Sequence, residues 1–129
     1  MTSYRDLTVW RKALVLAKEV YRVSRSFPAR EAYGLTSQIQ RAVSSIPANI
    51  AEGWGRGSRR EYIQFLKISR GSLFELETHL FLSRELSYLA QKDLAALLLK
   101  TEEAGKMLNG LITSLEKKSP TPDLLTPNP

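Results

Sequence analysis

Tyr62, Phe65, Leu66, Ser69, Leu73, Leu76, Leu80 and Ser83 recur at near-heptad spacing along one segment. A stripe of that period suits a long helix lying nearly aligned with its neighbours, which restricts the chain to bundle-like packing. The start of this helix is also marked. Ser58 is followed three residues later by Glu61. That is a capping-box pattern, in which the serine oxygen takes one orphan backbone N–H and the glutamate reaches back to another. The spacing predicts a helix over about Ser58 to Leu86, third in chain order.

Three further segments repeat the helical period. The first runs to about Phe27 with Asp6 as its cap, and Leu7, Trp10, Ala13, Leu14, Ala17, Val20, Tyr21 and Ser24 face inward. Val9, Leu16 and Val23 repeat every seventh residue on one flank and widen the apolar face. On the other flank Arg11, Lys18, Arg22 and Arg25 fall within a sector roughly 60° wide, a basic ridge. Phe27-Pro28 closes this helix, because a residue before proline is pushed out of helical geometry.

The second helix covers about Glu31 to Glu52, with Leu35, Ile39, Ala42, Val43, Ile46 and Ile50 inward. Pro47 lies inside it, but the apolar period continues in phase across the proline, which predicts a kink or a local bulge rather than two helices. Ser44 and Ser45 stand where they could satisfy part of what the proline frees. After a break around Ser87–Ala90, a fourth helix covers about Gln91 to Lys117. Its inward residues are Leu94, Leu97, Leu98, Thr101, Ala104, Leu108, Leu111, Ile112 and Leu115. Gly105 and Gly110 mark expected close approaches of a neighbour.

The chain has 129 residues, 43% of them hydrophobic, enough for one domain with a single core. We expect a bundle over residues 1–118. From Ser119 onward lie four of the six prolines, and residues 119–129 read as a Pro-rich disordered tail. No apolar run is long enough to span a bilayer, and the N-terminus lacks the order of a signal peptide. With zero cysteines, disulfides and thiolate metal sites are excluded and a cytoplasmic location is the default expectation. The formal net charge of +6 and a pI near 9.8 favour a polyanionic partner.

Charge and glycine meet in one stretch. Gly53-Trp54-Gly55-Arg56-Gly57 joins the second and third helices, and Arg59 and Arg60 occupy the first turn of the third. Partial positive charge from the helix dipole makes that turn a poor place for cations. Either solvent and Glu61 hide the cost, or an anion sits against the free N–H groups. The loop lacks the Gly-Lys-Ser/Thr ending of a P-loop, and no strand precedes it, so neither that motif nor a dinucleotide fingerprint applies. Trp54 is expected to pack over the bundle end.

Farther along the third helix, Ile63, Phe74, Phe81 and Tyr88 form a second line about 120° around from the core stripe, shared with Lys67 and Arg70. One bundle interior cannot cover both lines. The second is read as a subunit interface, with an aromatic and basic nucleic-acid surface as the alternative. Basic residues occupy the first half of this helix and Glu75, Glu77 and Glu85 the second.

Little points to catalysis. His79 is the single histidine, with Glu75 at i−4 as a salt-bridge partner, and no second nitrogen ligand exists to complete a zinc site. Glu52 and Glu61 flank the glycine loop, but their places as a helix-end residue and a capping-box member already explain them. No cofactor, metal site or catalytic residue is expected.

Several motifs together resemble one family. Tyr4-Arg5-Asp6-Leu7 with Val9-Trp10, Leu35-Thr36-Ser37-Gln38-Ile39 with Arg41-Ala42, and above all Ser45-Ile46-Pro47-Ala48-Asn49-Ile50-Ala51-Glu52-Gly53 carry the likeness. Arg56 and Gly71-Ser72-Leu73 with Glu75-Leu76-Glu77 continue it. The chain resembles, over about Tyr4 to Leu115, the small four-helix-bundle proteins encoded in 23S rRNA intervening sequences. More distantly it is similar to the accessory variability protein of diversity-generating retroelements, a basic pentameric barrel that associates with reverse transcriptase and with RNA or DNA. The resemblance implies an antiparallel four-helix bundle assembled as a homopentamer, without established activity. Two departures stand out: Ser69-Arg70 before Gly71, where a small residue is common, and Ser87 before Tyr88, where a glycine is common.

The expected molecule is therefore an all-α, antiparallel, up-and-down four-helix bundle with its second helix kinked at Pro47. It is a non-enzymatic homo-oligomer, by resemblance a pentamer. Its interface is assigned to Val9, Leu16, Val23, Ile63, Phe74, Phe81 and Tyr88. RNA or DNA phosphates are assigned to Arg56, Arg59, Arg60, Lys67 and Arg70, aided by Arg11, Lys18, Arg22 and Arg25. A protein-interaction scaffold, for example a partner of a reverse transcriptase, is the alternative.

Overall fold

The computed structural model describes residues 2–117, so the expected tail lies outside the described residues. A short 3-10 turn at Tyr4–Asp6 leads into α1 (Thr8–Ser24), and a second at Ala29–Glu31 precedes α2 (Leu35–Trp54). Then come α3 (Arg59–Glu85) and α4 (Gln91–Glu116). Each helix packs on the next and α4 returns to α1, whereas the backbones of α1 and α3 are not neighbours. With short connections this is an up-and-down bundle in which α1 and α3 are diagonal.

The α3 stripe fills the core as its spacing requires: Leu66, Ser69, Leu73, Leu76, Leu80 and Ser83 are buried. Leu94, Leu97, Thr101, Ala104, Leu108 and Ile112 of α4 meet them, and Leu35, Ile39, Ala42, Val43, Ile46 and Ile50 come from α2. The hydroxyls of the buried serines and threonine in α3 and α4 are satisfied. Ser69 donates to the Ile46 carbonyl at 2.9 Å, Ser83 to the His79 carbonyl at 2.7 Å, and Thr101 to Glu77 Oε2 at 2.6 Å.

Helix α1 is rotated from its expected face. Val9, Leu16 and Val23, assigned to an interface between copies, are buried in this chain's own core with Ala13 and Val20. Leu14 and Tyr21, expected inside, are 44% and 41% exposed, and Trp10 is half-buried. The two apolar lines are adjacent on the helix, and chemistry decides between them. Burying the Trp10 N–H and Tyr21 O–H demands partners, whereas valine and leucine demand none.

Capping differs in detail. Asp6 does not cap α1. Its carboxylate accepts from the N–H groups of Thr2 (3.0 Å) and Ser3 (3.2 Å), closing a capping box around the first 3-10 turn. The Thr2 bond above all holds that carboxyl below its ordinary range. Helix α2 is continuous across Pro47. Ser44 and Ser45 donate to the carbonyls of Arg41 and Ala42, not to that of Val43, the one the proline leaves without its donor.

The turn after α3 is a Schellman motif. Ser87 adopts φ +64°, its N–H donates to the Arg84 carbonyl, and the Tyr88 N–H donates to the Ser83 carbonyl, both at 2.9 Å. Ser87 thus stands at the left-handed position that favours glycine. Tyr88 is committed here rather than to a partner copy: its ring lies 5.7 Å from Phe27 and its hydroxyl donates to Glu31 Oε2 at 2.9 Å. Gly105 meets Leu73 Cδ2 at 3.3 Å from where a Cβ would stand, but nothing approaches Gly110 within 4 Å.

Candidate nucleic-acid interface

The glycine loop is shaped by two glycines for two reasons. Gly53 is in the last turn of α2 rather than past its end, and a Cβ there would meet Phe65 Cβ at 2.6 Å. Its absence lets α2 and α3 close together. Gly57 takes φ +86°, reversing the chain ahead of α3. Ser58 then caps α3, its Oγ accepting from the Glu61 N–H at 3.1 Å. The reciprocal half of the expected box differs: the Glu61 carboxylate takes the Ser58 hydroxyl at 3.3 Å.

Trp54 packs on protein, edge-on to Tyr62 at 6.1 Å. Trp54, Gly57, Ser58, Arg59, Tyr62 and Leu115 line an open cleft of about 310 Å³ at this end of the bundle. The Tyr62 hydroxyl is buried without a hydrogen-bond partner, and burial raises its pKa above the ordinary phenol value. Arg56 lies over the Phe65 ring at 4.8 Å, with Nε 3.8 Å from Glu61 Oε2. Such a half-exposed pair is worth about 0–1 kcal/mol and holds the guanidinium loosely. Arg60 is exposed and, among the described residues, makes no polar contact.

The nine basic residues do not form one surface. Arg56, Arg59 and Arg60 share the loop end. Lys67 and Arg70 lie farther along α3 and brace it to α4, through Glu116 at 3.1 Å and Asn109 at 2.9 Å. Arg11, Lys18, Arg22 and Arg25 are on α1, diagonal to α3. Arg22 is bonded to Glu19 at 3.0 Å, which lowers the carboxyl's pKa and raises the guanidinium's, and Arg11 donates to the Arg5 carbonyl at 2.9 Å. Phe74 and Phe81 are 53% and 51% exposed, whereas Ile63 packs partly against the core. The signal in the sequence for the exposed apolar surface on α1 is that Trp10 and Tyr21 each carry a polar group.

Glu61 is occupied by the cap, and among the described residues no three His, Asp or Glu side chains converge as a metal set would require. His79 Nε2 is 3.5 Å from Glu75, as the i−4 spacing predicts, and its Nδ1 is buried without a hydrogen-bond partner. No helix among the described residues is long and apolar enough to cross a membrane.

Comparison with known proteins gives the fold its place. A crystal structure of a protein with unknown function from the S23 ribosomal protein family of Bacteroides thetaiotaomicron VPI-5482 superposes with a TM-score of 0.76 at 25% identity. The match covers 81% of this chain and 95% of that one. No curated protein matches. The model of the 23S rRNA-intervening sequence protein family matches residues 5–110, taking in the proline-bearing α2, the glycine loop and most of α4. The chain therefore belongs to the 23S rRNA-intervening sequence protein family.

Proposed function

We propose that this chain is a non-enzymatic, self-associating accessory protein that binds RNA or DNA phosphates at the glycine-loop end of the bundle. One observation carries the reading: Arg56 in the loop and Arg59 and Arg60 in the first turn of α3 gather at one helix N-terminus, where the helix dipole favours an anion. A phosphate there offsets both the guanidinium charges and the helix end. Such contacts position a strand without reading its sequence. The family name refers to 23S rRNA, which makes RNA the first nucleic acid to test.

A second reading, a scaffold for a protein such as a reverse transcriptase, draws on a different observation. Lys67, Arg70 and Arg22 already have partners within the chain, which leaves fewer cations for a polyanion. Titration of labelled single-stranded RNA and duplex DNA into the purified chain at two salt concentrations separates the two readings. Phosphate binding weakens with salt and is lost in Arg59→Ala/Arg60→Ala while the helical content persists. An intact oligomer that ignores both nucleic acids at low salt leaves the scaffold.

A further inference from the structure

The cleft at the loop end has aromatic walls. Trp54 comes from the last turn of α2 and Tyr62 from the start of α3, with Leu115 from the end of α4 on the third side. The two rings meet edge-on, their planes 88° apart. In such a pair the ring that presents its edge keeps both faces clear of the other. Both residues are half-buried, so neither ring is used up in the core. At about 310 Å³ the cleft lies at the lower end of the roughly 300–1,000 Å³ range of small-ligand sites.

Charge is concentrated on its rim and nearly absent from its walls. Over residues 52–62 three arginines, Arg56, Arg59 and Arg60, stand against two carboxylates, Glu52 and Glu61. Glu61 is turned to Ser58 and Arg56, and Glu116, next to Leu115, is turned to Lys67. The rim therefore stays cationic. Inside, the hydroxyls are committed or covered. Ser58 Oγ accepts from the Glu61 N–H and donates to the Glu61 carboxylate, and the Tyr62 oxygen is buried under the surface. A ligand in the cleft meets ring faces and aliphatic carbon instead of a set of donors and acceptors.

We infer that the cleft seats one unpaired base of a single strand, stacked against the Trp54–Tyr62 pair, while the flanking phosphates run past Arg56, Arg59 and Arg60. Every base has a π face, so a seat of this kind accepts any of them. Aromatic platforms beside a cationic track are the means by which single strands are held without sequence preference. A duplex offers the same phosphates, but its bases are paired and stacked, and one enters the cleft only after being taken out of the helix. The cleft thus makes a charge-based site selective for single strands. The inference rests on the phosphate binding proposed above.

Two strands with the same number of phosphates test it, an oligouridylate and its counterpart without bases, each titrated into the full chain at two salt concentrations. The oligouridylate binds at least about fivefold more tightly, the share of one stacked base, and the two salt slopes are equal because the phosphates are. Trp10→Phe leaves Trp54 as the single indole, and its fluorescence is quenched by the oligouridylate but not by the base-free strand or by a duplex. Trp54→Leu, with helical content unchanged by circular dichroism, lowers the affinity for the oligouridylate to that for the base-free strand and keeps the salt slope. Equal affinities of the unmodified chain for the two strands, Trp54 fluorescence that the oligouridylate leaves unmoved, or quenching by the duplex overturns the base seat while phosphate binding stands. Failure of both strands to bind at low salt overturns both readings.

Discussion

The two ends of α3 solve the same problem, a chain reversal beside a helix terminus, with different residues. At the loop end Gly57 supplies the positive φ, Ser58 caps the helix, and three arginines and an open cleft surround the turn. At the far end Ser87 adopts nearly the same backbone region, and Tyr88 seals the turn against Phe27 and Glu31. One end is glycine-rich, basic and open; the other is acidic, closed and slightly strained. Geometry alone does not require an accessible basic cleft at a helix–helix connection, since the closed turn reverses the chain without one. The openness of the loop end is thus a separate property, available for binding.

Substitutions at the two ends sharpen this contrast. Gly53→Ala has the largest expected effect on stability. Its methyl group would stand 2.6 Å from Phe65 Cβ, so α2 and α3 must separate, and after the gain in helix propensity the net loss is about 1–2 kcal/mol in denaturant unfolding. An unchanged midpoint would show that the close approach is not needed. Ser87→Gly acts in the opposite direction, relieving the left-handed serine and adding about 1 kcal/mol without altering nucleic-acid affinity. Tyr62→Phe is smallest. Removing a buried hydroxyl that has no partner leaves stability unchanged or raises it by up to about 1 kcal/mol, whereas a loss would reveal a bond that the hydroxyl makes in solution.

Much of this architecture is legible in the sequence because local rules suffice. The α3 stripe, the Ser58 cap and the continuity of α2 through Pro47 all follow from spacing over a few residues. The serine before Tyr88 departs from the glycine that the resemblance leads one to expect, and its positive φ is the backbone conformation that favours glycine. What spacing cannot give is the choice between two adjacent apolar lines on α1. That choice depends on which side chains carry polar atoms and on how α2 and α4 close around them. The candidate site is less legible still. Arg56, Arg59 and Arg60 share one end because they are neighbours in sequence, but the pairing of Lys67 with Glu116 and of Arg70 with Asn109 spans helices. Likewise, only the diagonal placement of α1 and α3 separates the basic ridge from the loop.

The most direct test of phosphate binding at the loop end is the dissociation constant of single-stranded RNA, measured for the unmodified chain and for Arg59→Ala/Arg60→Ala at low and raised salt. If both arginines contact phosphates, the variant binds at least about tenfold more weakly at low salt, and its log–log salt slope is shallower by about 1.4, the share of two phosphates on a single strand. Equal affinities and equal slopes, in a variant that keeps its fold and mass, would contradict the account.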